Sequence, residues 1–267
     1  MDIQSIRLIY FSPTETTKKI IEGISLGIQA DKVEPLDLTP ASMKTQPIGE
    51  MHDDFVIIGA PVYGGRIALE AVNRLNLLKA GKTPAAIVVL YGNRAYEDAL
   101  LELKHITEAA GFAPVAAGAF IGEHSFSTDA MPIAFQRPDE ADLEKAKAFG
   151  KRIRERLSEI DPIKEIPPLK VPGNHPYKER KARPRMSPAT EESRCILCGT
   201  CAEVCPTGVI RVNDTVTTDS DGCISCCACI KNCPTRARVF DAAPFKEASE
   251  RLYKTCRDRK EPEIYIH

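Results

Sequence analysis

Residues 195–206 and 223–234 repeat one another: Cys195-Ile-Leu-Cys198-Gly-Thr-Cys201-Ala-Glu-Val-Cys205-Pro206 and Cys223-Ile-Ser-Cys226-Cys227-Ala-Cys229-Ile-Lys-Asn-Cys233-Pro234. Each reads C-x2-C-x2-C-x3-C-P, and the cysteine positions of that pattern account for eight of the ten cysteines. Three thiolates two residues apart wrap a tight loop round three irons, and a cubane cluster needs a fourth from elsewhere. Structural zinc fits poorly, because it takes four ligands and closes with paired C-x2-C units rather than a duplicated triple with a fourth cysteine before proline. Disulfides fit poorly in a chain with no secretory signal pattern.

The spacing resembles that of bacterial two-cluster ferredoxins, in which the fourth cysteine of each run ligates the other cluster. That resemblance implies one 4Fe-4S cluster on Cys195, Cys198, Cys201 and Cys233, and a second on Cys223, Cys226, Cys229 and Cys205. Cys227 aligns with Gly199 across the repeat and is set aside as a ligand. Cys256 lies outside both repeats and reads as a free thiol. The module, about residues 193–241, is too small to bury much apolar surface. Its clusters are expected to staple it, so stripping iron should unfold it.

No cysteine precedes Cys195, and the first 160 residues follow a different pattern. Apolar, β-rich runs at residues 6–11, 32–38, 55–60, 86–91 and 115–121 alternate with helical periodicity at 16–28, 69–79, 96–110 and 139–160. Such alternation predicts a doubly wound parallel sheet covered on both faces, with the flavodoxin-like order 2-1-3-4-5 among the few topologies left by right-handed crossovers. In these sheets ligands sit beyond the carboxyl ends of the strands, so the loops there carry the function.

The first such loop, Ser12-Pro-Thr14-Glu15-Thr16-Thr17-Lys18, puts four hydroxyls at a strand–helix junction. A helix N-terminus offers unpaired N–H groups and the positive dipole end to a phosphate. One hydroxyl would be ordinary capping; four exceed that need. Ser12-x-Thr14-x-x-Thr17 resembles the flavodoxin phosphate loop, which binds the phosphate of FMN. That family usually has Gly where this chain has Glu15, so the carboxylate has to point away. Pro61-Val62-Tyr63-Gly64-Gly65-Arg66 is similar to the loop lining the flavin ring, with Tyr63 as a stacking candidate. Tyr91-Gly92-Asn93-Arg94-Ala-Tyr96-Glu-Asp98 is similar to the loop at the flavin's polar edge. Arg66 and Arg94 are either surface charges or cations facing the ring, where a cation would stabilise anionic reduced flavin. After the fifth strand, Gly122 to Pro138 is long for a loop without structure. His124 beside Glu123 is the candidate there for moving a proton.

The whole chain resembles the fusion family in which a flavodoxin-like domain precedes a two-cluster ferredoxin. Its expected layout is 1–160 FMN domain, 161–192 proline-rich basic linker, 193–241 two-cluster module of small α+β form, and 242–267 tail with a short helix. The linker is read as extended and solvated. The tail's last residues read as a strand with no assignable chemistry.

The resemblance implies electron transfer between two 4Fe-4S clusters and FMN, with a redox protein such as a ferredoxin as partner. Two alternatives stand beside it: an FMN-dependent reductase of a small-molecule acceptor, and a non-enzymatic redox sensor or assembly factor. No G-x-G-x-x-G follows a strand, which removes support for direct NAD(P)H binding. A formal net charge of −1 with 27% charged residues gives no bias toward nucleic acid. No apolar run is long enough to span a membrane. A cytoplasmic, anaerobic setting is the expectation, with a second copy of the chain as a further candidate partner.

Overall fold

The computed structural model describes residues 3–51, 53–159, 168–181 and 185–266. Chain order runs β1 (Ser5–Tyr10), α1 (Thr16–Ile28), β2 (Lys32–Asp37), β3 (Phe55–Tyr63), β4 (Arg66–Ile67), α2 (Leu69–Leu75), β5 (Thr83–Tyr91), α3 (Ala99–Ala109), β6 (Phe112–Ile121) and α4 (Glu140–Glu159). It continues with β7 (Ala189–Thr190), α5 (Thr200–Glu203), β8 (Ile210–Val212), β9 (Val216–Thr218), α6 (Ala228–Lys231), β10 (Arg238–Val239), α7 (Ala243–Thr255) and β11 (Glu263–Ile266).

The large sheet is ordered β2-β1-β3-β5-β6-β11, with β4 folded back on β3. The first five strands pair in parallel, which is the flavodoxin-like order. Alternate residues of each strand feed two cores. Ile6, Leu8 and Tyr10 meet Ile20, Ile24, Phe149 and Ile153 of α1 and α4. Ile9, Val56 and Ile58 face Ala71, Leu75, Leu100 and Leu103 of α2 and α3. Helices α1 and α4 cross closely because Gly27 and Gly150 lack side chains. A Cβ on Gly27 would lie 2.0 Å from the Lys147 carbonyl oxygen, and one on Gly150 2.0 Å from that of Ile24.

Two segments differ from their expected roles. The tail strand β11 pairs antiparallel with β6, Glu263 opposite Ala119 and Ile266 opposite Ala116, and becomes the sixth main strand of the sheet. The linker is not a solvated tether where it is described. Leu169 is buried in the α2/α3 core and Val171 packs on it. The Asp98 carboxylate accepts from the backbone N–H groups of Asn174 (2.8 Å) and Lys178 (2.7 Å). The buried Glu102 carboxylate takes two bonds from Arg66 (2.8 and 2.7 Å), one from Arg180 (2.8 Å) and one from the Ile67 N–H (2.9 Å). Residues 168–181 are thus a strap along α3. Pro162, Lys164, Pro167, Arg183 and Pro184 of the expected linker lie outside the described residues.

The cysteine module is a small α+β unit with two antiparallel strand pairs, the β8–β9 hairpin and the β7–β10 pair that joins its two ends. Since β7 pairs with β10, the module's backbone already begins at Ala189, four residues before the expected start.

Candidate functional site

At the carboxyl edge of the sheet lies a cavity of about 340 Å³, the size of an ordinary small-ligand pocket, roughly 300–1,000 Å³. Ser12, Thr14, Thr16 and Thr17 form one wall. The Ser12 hydroxyl accepts from the Lys18 N–H (3.2 Å), capping α1. The Thr17 hydroxyl is buried and has no hydrogen-bond partner among the described residues. A buried hydroxyl left unpaired is costly, so this one fits a hydrogen-bonding ligand at the α1 N-terminus. Glu15 sits outside the wall. It takes the left-handed conformation, φ 62°, and turns its carboxylate to Lys18 (3.0 Å). That backbone geometry is one glycine adopts without strain.

Pro61, Val62, Tyr63 and Gly64 line a second wall, and Tyr91, Gly92 and Arg94 a third. Gly92 is needed there: a Cβ would lie 2.3 Å from the His124 ring. The remaining residues of these loops are placed elsewhere. Gly65, at φ 87°, turns the β3–β4 hairpin and packs on Glu97. The Asn93 amide donates to the Cys256 (2.8 Å) and Asp258 (2.9 Å) carbonyls, tying down the tail. The Tyr96 hydroxyl donates to Glu263 (2.7 Å) and lies 3.2 Å from that of Tyr265, holding β11. Asp98 holds the strap, and Arg66 is turned from the cavity to Glu102 and over the Tyr177 ring.

His124 also lines the cavity. Its Nδ1 accepts from the Phe126 N–H (3.0 Å), so the proton of the neutral ring sits on Nε2. Burial, then the charges of Arg94 and Lys231, push its pKa down to about 4. At neutral pH it is a hydrogen-bond donor through Nε2 rather than a cation.

Five lining residues come from segments that carry no flavodoxin-like signal: Met186, Ser225, and Ala248, Arg251 and Leu252 of α7. Ser225 belongs to the second cysteine loop. Its neighbour Ile224 packs on the sheet's α2/α3 core. From the other side the buried Arg74 of α2 donates to the Pro206 carbonyl (2.5 Å) and Lys44 to that of Thr207 (3.2 Å). Lys231 of α6 pairs with Glu123. The module is therefore seated on the cavity by several contacts.

Within the module two further cavities gather four repeat cysteines each. One is lined by Cys195, Cys198, Cys201 and Cys233, the other by Cys205, Cys223, Cys226 and Cys229. Among the described residues no three metal-binding side chains converge on a single-ion site. Burial pushes the Cys226 thiol up to about 12 and Cys229 to about 11. Thiolates there need a positive partner, which an iron–sulfur core supplies. Thr200, Thr207 and Thr235 set hydroxyls 3.4, 3.5 and 3.8 Å from the sulfurs of Cys198, Cys205 and Cys233. Cys227 borders the second cavity, but it takes the left-handed turn position (φ 61°) that Gly199 (φ 82°) takes in the first half. Its thiol faces the Ser225 carbonyl (3.7 Å) and packs with Phe240 and Phe245. The first cavity is outermost: Cys198 is exposed, with Ile196 and Leu197 64% and 44% exposed beside it.

Residues 188–211 match the family model of the 4Fe-4S binding domain. No curated protein matches the chain. Among solved structures, a flavodoxin from the domain Archaea is 15% identical over 58% of this chain and 99% of its own, with a TM-score of 0.38. Rubredoxin oxygen:oxidoreductase from the anaerobe Desulfovibrio gigas is 15% identical over 58% of this chain and 36% of its own, with a TM-score of 0.41. The Fusobacterium nucleatum flavodoxin bound to flavin mononucleotide is 13% identical over 57% of this chain and 98% of its own, with a TM-score of 0.36. These likenesses are distant; the strand order itself identifies the flavodoxin-like sheet. No helix among the described residues is long and apolar enough to cross a membrane.

Proposed function

We propose that this chain, a flavodoxin-like domain joined to a 4Fe-4S binding domain, is an iron–sulfur flavoprotein carrying electrons between two 4Fe-4S clusters and a bound FMN. The observation that carries the reading is Ser225. It sits between two cysteines of the inner set and lines the same cavity as the hydroxyls of the α1 loop. One wall of the candidate flavin site is therefore flanked in sequence by Ile224 and Cys226, which line a candidate cluster site.

Clusters pass single electrons and flavin passes one or two, so the pair links one-electron and two-electron chemistry. The hydroxyls of Ser12, Thr14, Thr16 and Thr17 would hold the phosphate at the α1 N-terminus. Pro61, Val62, Tyr63 and Gly64 would bound the ring, with Tyr91, Gly92, Arg94 and the Nε2 proton of His124 beside it. The inner site, on Cys205, Cys223, Cys226 and Cys229, abuts the cavity. The outer site, on Cys195, Cys198, Cys201 and Cys233, opens to solvent through Cys198. A one-electron protein partner such as a ferredoxin would meet the exposed Ile196 and Leu197, and electrons would pass between outer site, inner site and flavin in line.

Anaerobically purified protein tests this directly. Flavin bands over a broad cluster absorption are expected, with one FMN and about eight irons per chain from two cubanes. Absent flavin, or far fewer irons, defeats the reading. A second reading, reduction of a small-molecule acceptor, is favoured by His124, which puts a neutral N–H donor in the cavity wall. Turnover with a panel of acceptors and reduced ferredoxin separates it from pure electron carriage.

A further inference from the structure

The two halves of the cysteine repeat diverge in charge at one buried position. Aligning Cys205 with Cys233 sets Ile210 opposite Arg238. Both are buried, 7% and 3% exposed. Ile210 packs among Cys201, Cys205 and Cys229, as an apolar residue should. Arg238 brings a full positive charge to the corresponding place.

That charge has only neutral hydrogen-bond partners within the protein. One terminal nitrogen donates to the Thr190 hydroxyl (2.6 Å) and the other to that of Thr218 (2.8 Å). Its Nε is buried with no partner, and among the described residues no carboxylate lies within ion-pair distance of the guanidinium. A buried cation without a counter-ion is strongly unfavourable. What surrounds it instead is sulfur. Arg238 lines the Cys195/Cys198/Cys201/Cys233 cavity. On its other side it reaches the second cavity through Thr218, which lines the Cys205/Cys223/Cys226/Cys229 space and accepts from Arg238 (2.8 Å). Four thiolates outweigh the positive charge of an iron–sulfur core, so each loaded site is net negative and becomes more so on reduction.

We infer that Arg238 is a counter-charge shared by both cluster sites and that it raises the reduction potential of each. Cluster potentials follow net charge, and Arg238 supplies a positive charge from a desolvated position that salt screens poorly. It is a tuning residue, not a ligand. The inference rests on the two-cluster reading above.

The test is an anaerobic redox titration followed by electron paramagnetic resonance, with iron content measured on the same samples. Native protein is titrated first. If it lacks two reducible clusters, the two-cluster reading falls and this inference with it. Given two clusters, Arg238→Met is expected to shift each reduction equilibrium at least tenfold toward the oxidised form, a fall of about 59 mV for one electron. Arg238→Lys keeps the charge but loses the forked geometry, and is expected to shift it between twofold and tenfold. Arg211→Met, an equal charge change on the exposed face of β8, is expected to stay within twofold. Native-like potentials in Arg238→Met, within twofold, overturn the inference. Should Arg238→Met take up no iron, Arg238→Lys decides by the same twofold limit. Failure of both to assemble clusters also overturns it, since the residue would then build the sites rather than tune them.

Discussion

Replacing Thr17 by valine should move two measurable quantities in opposite directions. Thr17 lines the cavity and is 1% exposed, and its buried hydroxyl has no hydrogen-bond partner among the described residues. In flavin-free protein that hydroxyl is desolvated for no return, a cost of about 1–3 kcal/mol. Valine has nearly the same shape and a similar helix propensity, so Thr17→Val should stabilise the flavin-free form by about 1–2 kcal/mol. For a domain of this size, roughly 2–4 °C per kcal/mol, the melting temperature should rise by about 2–8 °C. With FMN the sign reverses. A hydrogen bond to a charged phosphate contributes about 1.5–3 kcal/mol, so affinity should fall roughly ten- to hundredfold. Thermal or denaturant unfolding of flavin-free protein gives the first number, and quenching of flavin fluorescence on titration gives the second. Equal or tighter FMN binding by Thr17→Val would refute the phosphate-loop assignment. A less stable flavin-free variant would show that the hydroxyl is satisfied within the protein.

Glu102→Gln removes the charge to which Arg66 and Arg180 bind. With Glu102 buried but Arg180 about a third exposed, breaking this cluster should cost about 2–3 kcal/mol, read as a lower melting temperature; a drop under about 1 °C would show that the strap is held by its other contacts. The depressed pKa of His124, about 4, means the unfolded chain binds the extra proton more readily. Its contribution to stability is full above the ordinary pKa near 6.5 and is lost as pH falls toward 4. His124→Asn should flatten the stability profile across that window, and an unchanged slope there would remove His124 as its source. Cys227→Ala should retain about eight irons, whereas Cys226→Ser should lose the inner cluster's about four; iron analysis of both variants distinguishes ligand from neighbour.

The parallel sheet was legible because strand–helix alternation is written locally, and the cysteine sets because their spacing is short-range and duplicated. What stayed hidden depends on contacts between residues far apart in sequence. Asn93, Tyr96 and Asp98 sit in a loop whose place after the fourth parallel strand suggests flavin. Their partners, Cys256, Glu263 and Asn174, lie 76 to 167 residues away. No local pattern marks Asn93 as a brace for the tail rather than a ligand of the ring. The strap was hidden for the same reason: its prolines and lysines suggest solvent, while Glu102, the carboxylate that anchors it, sits inside α3. No local pattern marks Arg74 or Arg238 as buried, and only tertiary packing shows them so. Glu15 is the opposite case. A non-glycine at a glycine position was visible as a departure, and its left-handed backbone accounts for it.

The antiparallel pairing of β11 with β6 has a consequence for biosynthesis. On the ribosome, β11 emerges only after every cysteine of the module. Until then β6 is an open rim of amides and carbonyls, the kind of template that recruits other chains. The nascent protein can cover that rim only once the residues beyond its metal-binding segment have been made. Any stall or truncation before residue 263 therefore leaves that rim open to other chains.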